Sequence, residues 1–288
     1  MRNRTSKQVA IIDAVITTSG RFDMLIKCLD ALYREAQETP LNIYIVDIFS
    51  PAEDRIQNQT LFEYDEEKDP KGNVNRFETK RLQSDVGFPQ GANEGARMGS
   101  APLVMFISDD VELFEGTLSK IIKRFDDPTI GVVGTKNLFP LNSISPNRPS
   151  GRIQHIGHAV NIRGEIIHPL VGWSKDNPKC CVSRDVFSVT GACLTIRRNL
   201  LNKVGMFNTI YGLGTFEDVE LCMSVRKMGA RVFVDTDCLA YHYVGASAEK
   251  INTPFPIQQN RQIFLSRWQT QTEADGQPLF FWDEWTYY

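Results

Sequence analysis

The feature that most constrains the fold is a series of short apolar segments, rich in β-branched residues, that alternate with segments of helical periodicity. Residues 9–17 (VAIIDAVIT) and 42–48 (NIYIVDI) are typical of buried strands, and residues 22–36 between them carry apolar side chains at helical spacing. A strand, a helix and a second strand with short connections form the βαβ unit of a parallel sheet. The sequence therefore predicts an α/β fold.

The alternation continues as far as residue 136. Segments 76–82, 101–108 and 130–136 are predicted to be strands, segment 116–125 is predicted to be a helix, and the polar segment 51–75 is predicted to be a loop with room for a short helix. The glycine-rich segment at 87–100 is predicted to begin as a loop and to continue as a helix.

The regular alternation of strand and helix patterns ends after residue 137. Residues 152–169 predict a hairpin that turns at Arg163 and Gly164, and later segments predict a strand at 187–198, a helix at 216–229 and a last strand at 230–236. We expect two halves of one domain that share a continuous sheet, with boundaries at 1–136 and 137–268. An aromatic tail at 269–288 follows, and we expect it to pack back on the domain or to meet another subunit.

The composition excludes several classes of protein. With 42% hydrophobic and 23% charged residues the chain is a globular domain, and its net charge of −3 gives no general attraction to nucleic acid. The six cysteines form no C-x-x-C pair, which argues against a zinc knuckle. We find neither a secretory signal nor a membrane-spanning apolar run, so the expected compartment is the cytoplasm.

Polar side chains gather where the predicted parallel strands end. They are Thr17, Thr18, Ser19 and Arg21 after the first strand, Asp47 and Ser50 after the second, and Ser108, Asp109 and Asp110 after the fourth. In open α/β sheets, ligands bind outside the carboxyl ends of the strands. The adjacent carboxylates of Asp109 and Asp110 repel each other and call for a cation, such as a magnesium or manganese ion that also binds phosphate oxygens. A simple strand stop with a capped loop is the alternative.

Four sequence blocks occur in an order known from a protein family. They are VITTSGR, IVDIFSP, GFPQGANEGARMGSAPLVMFISDDVEL, and the long block that begins VTGACLTIRR and contains GLGTFEDVEL and AYHYVGAS. In these blocks the chain resembles the inverting family-two glycosyltransferases of GT-A fold, in particular their rhamnosyltransferase-like branch. The resemblance covers about residues 10 to 268. It implies a Rossmann-like, mostly parallel central sheet flanked by helices, with a smaller mixed subregion on the acceptor side.

The resemblance also implies which residues bind the donor. Residues 1–136 are the nucleotide-sugar-binding half, in which Asp110 binds Mn²⁺ or Mg²⁺ together with His242, and Asp109 reaches the ribose or supports the metal shell. Asp47 resembles the residue that hydrogen-bonds the base of a UDP- or dTDP-sugar. The other donor-binding positions are Thr17, Thr18, Ser19, Arg21, Ser50, Gly87, Gly91, Asn93 and Ser108.

Residues 137–268 are the acceptor-binding and catalytic half in this comparison. Asp218 in the FEDVEL segment is the general base that takes the proton of the attacking acceptor hydroxyl, and Glu217 orients the acceptor. Stabilisation of a helix N-terminus is the alternative role for these two acids. The acceptor-binding positions are Gly191, Ala192 and Trp173.

The expected function is therefore a metal-dependent, inverting transfer of sugar from a nucleotide diphosphosugar to a hydroxyl of a glycan or another acceptor. A nucleic-acid acceptor is disfavoured by the acidic balance but stays open. A nucleotidyltransferase is one alternative, although the TTSGR turn has little of the basic, glycine-rich character that a triphosphate needs. A non-catalytic nucleotide- or glycan-binding module is the other. A dehydrogenase is excluded because no G-x-G-x-x-G follows the first strand.

Overall fold

The structure is a computed structural model that describes residues 9–51, 58–69, 72–161, 163–243 and 255–271. The aromatic sequence FFWDEWTYY, for which we predict packing or a subunit contact, lies outside the described residues. No helix within the described ranges has both the length and the apolar character needed to span a membrane.

Strands and helices alternate along the first half of the chain, as the periodicity predicts. The strands are β1 (Ile12–Thr18), β2 (Leu41–Asp47), β3 (Val74–Arg81), β4 (Leu103–Ser108), β5 (Val111–Leu113), β6 (Ile130–Leu138), β7 (Ile153–His155), β8 (Ala159–Val160), β9 (Ile166–Ile167), β10 (Arg184–Asp185), β11 (Cys193–Arg197) and β12 (Arg231–His242). The helices are α1 (Phe22–Ala36), α2 (Asn58–Lys68), α3 (Gly87–Met98), α4 (Thr117–Arg124), α5 (Arg198–Val204), α6 (Glu217–Lys227) and α7 (Ile257–Trp268).

One large sheet organises these elements in the order β10-β12-β6-β11-β4-β1-β2-β3, with β5 and β7 paired to β12 and β6. The pairs β4–β1, β1–β2, β2–β3 and β6–β12 are parallel, and β11 runs antiparallel between β4 and β6. The carboxyl ends of three strands are level, because Thr17 pairs with Ser108 and Thr18 with Asp47. The predicted mostly parallel α/β sheet is confirmed.

Both faces of the sheet are covered, which explains the nearly continuous apolar runs of its central strands. Along β1, Ile12, Ala14 and Ile16 belong to one buried cluster, whereas Val15 belongs to the other. Asp13 interrupts this run and is fully buried. Its carboxylate accepts hydrogen bonds from Asn42 Nδ2 (2.6 Å) and Arg198 Nη2 (2.6 Å), so the only charge within β1 is paired.

The polar segment after β2 contains α2, an 11-residue helix, in agreement with the predicted loop that leaves room for a short helix. The end of the last strand differs from its prediction. The last strand does not stop at residue 236 but continues to His242, with a register shift against β6 between Asp235 and Leu239. The periodicity of the sequence is broken at this irregularity, which hides the second part of the strand.

The predicted hairpin at 152–169 is only partly correct. β7 pairs with β6, and the hairpin itself is limited to β8 and β9. The turn falls at Gly164, as predicted, with a φ of +71°. Asn161 Oδ1 organises this turn by accepting from the backbone N–H groups of Arg163 (2.9 Å) and Glu165 (3.0 Å).

Candidate active site

A cavity of about 630 Å³ opens at the carboxyl ends of β1, β2 and β4, where the sequence predicts a ligand site. Twelve of the predicted site residues line it: Thr17, Thr18, Ser19, Gly87, Ser108, Asp109, Asp110, Gly191, Ala192, Glu217, Asp218 and His242. The two halves of the chain therefore contribute to one site.

The cation that the two neighbouring carboxylates call for is partly supplied by the protein. Arg21 Nη2 forms an ion pair with Asp109 Oδ1 and lies 3.4 Å from Asp110 Oδ2, and all three side chains are buried. Thr18 Oγ1 donates to the other oxygen of Asp109 at 2.7 Å. Burial raises the pKa of Asp109 to about 6, and the charge of Arg21 opposes this rise. Both oxygens of Asp109 are thus engaged within the protein, which leaves Asp110 as the carboxylate that is available to a ligand.

Asp110 and His242 form a donor set that fits a divalent metal ion. His242 Nε2 lies 3.5 Å from Asp110 Oδ1, and its Nδ1 lies 3.3 Å from Gln154 Oε1. Because an amide oxygen only accepts, Nδ1 carries the proton and the lone pair of Nε2 faces Asp110. Burial lowers the pKa of His242, which keeps the ring neutral and able to bind a metal. The sequence misses Gln154, whose amide oxygen fixes the orientation of the His242 ring.

Glu217 and Asp218 begin α6 and face the same cavity. Asp218 accepts from the N–H groups of Val219 (2.8 Å) and Gly191 (2.8 Å). Burial raises the pKa of Asp218, and these two N–H donors and His168 oppose the rise. Asp218 is thus a held carboxylate in a partly dehydrated site, which is the environment of a general base.

Glu217 differs from its neighbour in how it is held. Burial and the adjacent Asp218 raise its pKa well above the usual value, and its buried Oε2 has no partner among the described residues. Just before it, Thr215 and Phe216 have φ values of +82° and +71°. Residues other than glycine in this region carry strain of about 1–3 kcal/mol each, and such strain clusters at functional sites. Asn260 of α7 holds the strained loop by donating to Gly214 O at 2.8 Å.

Asp47 and Ser50 do not line the cavity. Asp47 Oδ1 accepts from the N–H groups of Phe49 (3.0 Å) and Ser50 (2.7 Å) and from Ser50 Oγ (2.8 Å), and Oδ2 forms an ion pair with Arg81. This carboxylate therefore caps its own loop, and its predicted contact with a base stays a prediction. The loop that it caps places Ile48, Phe49 and Pro51 in the cavity wall.

Three further predicted residues do not line the cavity. Two of them, Gly91 and Asn93, belong to the glycine-rich segment, which is helical from Gly87 onward. Asn93 binds the backbone of Phe207 through both ends of its amide (2.8 and 3.0 Å), so its side chain is used in packing. A Cβ at Gly91 would lie 2.9 Å from Ile48, which shows that this glycine lets α3 approach the end of β2. Trp173 is half-buried and packs against the core, away from the cavity lining.

The cavity wall also contains residues that sequence reasoning misses: Ile48, Phe49, Pro51, Asp85, Phe88, Thr190, Leu213, Thr215 and Phe255. Most are apolar, and apolar residues give no local signal that separates a ligand wall from a core. In the structure Phe49 does differ from a core residue, because its side chain is 48% exposed and its backbone has a φ of +97°.

These features define a GT-A type of site, with the acid Asp110 beside His242 at one strand end and the held carboxylate of Asp218 in the same cavity. The model of the glycosyl transferase family 2 matches residues 13–205, and the chain belongs to this family. The predicted family is thus confirmed, whereas the rhamnosyltransferase-like branch stays a prediction.

Solved structures support the fold. GalNAc-T7 with UDP, GalNAc and Mn²⁺ superposes with a TM-score of 0.67 at 14% identity, over 90% of this chain and 48% of that one. The mannosyltransferase PcManGT from Pyrobaculum calidifontis, in complex with GDP-Man and Mn²⁺, gives 0.64 at 16% identity, over 96% and 69%. Residues 1–349 of S. aureus TarS in complex with UDP-GlcNAc give 0.54 at 15% identity, over 84% and 61%.

Two curated proteins are similar in sequence over part of their length. The uncharacterized protein y4gI of Sinorhizobium fredii is 27% identical over 191 residues, which are 64% of this chain and 20% of that protein. The O-antigen biosynthesis protein RfbC of Myxococcus xanthus is 27% identical over 168 residues, or 56% and 12%. The chain thus spans a fifth or less of these curated relatives.

We expect Arg21→Met to destabilise the protein by about 3–5 kcal/mol, because the buried carboxyl group of Asp109 loses its cation and must either stay charged without it or take up a proton. Adding Asp109→Asn should recover about 0.5–3 kcal/mol, since a neutral amide can still bind Thr18. Urea unfolding measures both values. Arg97→Met is the matched control: it removes an exposed ion pair to Glu94 and should change stability by less than about 1 kcal/mol. A double variant no more stable than Arg21→Met would contradict the pairing.

Proposed function

We propose that this chain is a metal-dependent, inverting glycosyltransferase that moves a sugar from a nucleotide diphosphosugar to an acceptor hydroxyl. The observation that carries the proposal is the shared cavity of Asp110, His242 and Asp218. A metal-binding pair and a general base must face the same sugar from opposite sides in such a reaction. The Mn²⁺ and nucleotide-sugar complexes of GT-A relatives support this assignment.

The donor is proposed to lie along the ends of β1, β2 and β4. A bound Mn²⁺ or Mg²⁺, held by Asp110 and His242, would neutralise the diphosphate and stabilise it as a leaving group. The apolar wall of Ile48, Phe49 and Pro51 supplies a surface on which the nucleobase of the donor can pack. We favour a UDP- or dTDP-sugar, and the acceptor is a hydroxyl of a glycan or of a similar polar molecule.

Asp218 is proposed to act as the base. The acceptor oxygen forms a bond to the anomeric carbon while the bond from that carbon to the diphosphate breaks, and the acceptor proton moves to an oxygen of Asp218. The nucleoside diphosphate leaves with the electron pair of the broken bond. Because attack and departure occur on opposite faces of the sugar, a single displacement inverts the anomeric configuration. The N–H groups of Gly191 and Val219 hold the carboxylate during this step.

The two alternatives are less well supported. A binding module would leave Glu217 and Asp218 without a task, yet both lie in the cavity wall beside the donor end. A nucleotidyltransferase would need Arg21 to contact a triphosphate, but this side chain is buried against Asp109 and does not line the cavity.

Nucleotide binding should depend on the metal. We expect UDP titrated by calorimetry to bind at least about tenfold more tightly with Mn²⁺ than with EDTA, a difference of about 1.4 kcal/mol. Asp110→Asn and His242→Ala should remove most of this difference, because the first removes the negative charge of the proposed ligand and the second removes the imidazole nitrogen. Asp126→Asn, at an exposed carboxylate, is the control and should keep it. Equal affinity with Mn²⁺ and with EDTA in the unmodified protein would remove the metal from the proposal.

The role of Asp47 can be tested against that of its partner. If Asp47 acts by capping the loop, Asp47→Ala and Arg81→Met should weaken UDP binding by similar factors, because both free the backbone that positions Phe49. The guanidinium of Arg81 also lies 5.8 Å from the centre of the Phe49 ring. Calorimetry in saturating Mn²⁺ measures the affinities. A much larger loss in Asp47→Ala would instead indicate direct contact with the base.

Asp218→Asn should lower turnover by about 10²–10⁴-fold, the usual contribution of a positioned general base. The change preserves the size of the side chain and leaves UDP affinity nearly constant, since Asp218 contacts the acceptor and not the nucleotide. Steady-state transfer assays and UDP calorimetry give the two values. In the unmodified enzyme, kcat/KM should fall on acidification through the raised pKa of Asp218, because a protonated base is inactive.

Glu217→Gln is the companion variant and should lose less activity than Asp218→Asn, because an amide can still orient the acceptor. The anomeric configuration of the product is read by NMR and should be inverted. Near-normal turnover of Asp218→Asn, or a product with retained configuration, would overturn the proposed mechanism.

A further inference from the structure

Three histidines that the proposed mechanism does not use lie together beside the cavity. The ring centres of His155, His158 and His168 are 4.5–5.0 Å apart, and each ring offers a nitrogen within 4.8 Å of the others. His155 and His158 are buried, whereas His168 is exposed at the edge of the cluster. Such a group either binds a metal ion or forms a chain of hydrogen bonds, and the positions of the protons decide between these roles.

The proton positions follow from one backbone contact. The N–H of Thr190 donates to His155 Nε2 at 3.1 Å, so this nitrogen carries no proton. Burial lowers the pKa of His155 well below its usual value, and the neutral ring therefore holds its single proton on Nδ1. Nδ1 lies 2.9 Å from His168 Nδ1 and donates to it. His168 must then carry its own proton on Nε2.

This chain of hydrogen bonds leaves neither nitrogen of His155 available to bind a metal ion. One nitrogen of the ring accepts from the backbone and the other is protonated, so His155 has no free lone pair. His168 has no free lone pair either, because its Nδ1 accepts from His155 and its Nε2 carries the proton. The Nδ1 of His158 lies 2.8 Å from Ser188 Oγ, so at most its Nε2 is left as a ligand. One ligand is too few for a stable protein zinc site, which takes three or four.

The chain of hydrogen bonds is joined to the proposed catalytic carboxylate through His155. Thr190, which binds His155, directly precedes Gly191, whose N–H binds Asp218. His168 lies one hydrogen bond further out, beyond the residues that line the cavity. The residue next to His155, Gln154, contacts the metal-binding His242. Among the described residues, His168 Nε2 has no hydrogen-bond partner, and the side chain is exposed. A donor of fixed orientation is therefore open to a ligand on the side of the base.

We propose that His168 is an acceptor-binding residue whose Nε2–H donates a hydrogen bond to an oxygen of the acceptor, such as a hydroxyl of a sugar ring. His155 is a positioning residue that fixes the proton of His168 on Nε2. This inference rests on the proposed function for the identity of the ligand, but the arrangement of protons is independent of it.

The first test measures the protons directly and needs no activity. The chain has only four histidines, so long-range ¹H–¹⁵N spectra of histidine-labelled protein can be assigned with single variants. We expect His155 to show the Nδ1–H form and His168 the Nε2–H form. An Nδ1–H form of His168 would overturn the proposal. Stoichiometric binding of Zn²⁺ alone that His168→Leu abolishes and His242→Ala retains would do the same.

The second test uses two pairs of variants at the ends of the chain. The amide nitrogen of glutamine can take the place of Nε2–H and that of asparagine the place of Nδ1–H. We therefore expect His168→Gln to retain transfer and His168→Leu to raise the acceptor KM about 5- to 30-fold, the effect of one lost hydrogen bond. His155→Asn keeps the donor toward His168, so its acceptor KM should be lower than that of His155→Leu.

The assay measures transfer to p-nitrophenyl hexosides, with UDP affinity as the separate control for the donor side. Arg163→Gln, at an exposed position of the same hairpin, should leave both values unchanged. An unaltered acceptor KM in His168→Leu would overturn the role of His168. If the unmodified protein does not bind UDP, this result counts against the proposed function alone, because the proton positions are measured in the absence of any nucleotide.

Discussion

The buried ion pair between Arg21 and Asp109 is the interaction on which the site depends. Two adjacent carboxylates at the end of a buried strand would repel each other in a poorly solvated place. Arg21, from the turn after β1, pairs with Asp109, lies 3.4 Å from Asp110 Oδ2 and ties the ends of β1 and β4 together. The other oxygen of Asp110 faces His242 at the cavity. Without this internal cation, two neighbouring carboxylates could not both stay charged at the end of β4.

The second half of the site is organised by backbone rather than by charge. Gly87 lets α3 approach the loop of residues 212–216, which precedes Glu217, so closely that a Cβ at position 87 would lie 2.1 Å from Gly212 O. Asn260 ties the same loop from the other side, and the strained Thr215 and Phe216 follow. The loop before Glu217 is therefore held from several directions, and a fixed carboxylate orientation is what a general base requires. The fixed position of Glu217 and Asp218 is therefore accompanied by backbone strain at Thr215 and Phe216.

Sequence reasoning predicts the sheet well because local periodicity and strand order suffice for a βαβ arrangement. It also selects Asp110, Asp218 and His242, which strand ends and sequence motifs mark and which the structure brings to one cavity. Their chemical roles stay predictions. It does not show contacts with partners that are distant in sequence. Asn93 and Asp47 carry donor-binding patterns, and the structure adds that Asn93 binds the backbone of Phe207 and that Asp47 pairs with Arg81. Gln154, the partner of His242, is 88 residues away and has no sequence signature.

The antiparallel strand β11 has a consequence for how such an enzyme can diversify. It lies between β4 and β6, and Ser108 N donates to Ala192 O at 2.9 Å, so backbone from the second half of the chain is bonded directly to the end of β4. Among the described residues, β11 therefore pairs on both sides with strands from the first half. Exchange of either half by recombination would break these pairings, whereas substitutions and insertions in the surrounding loops would leave them intact.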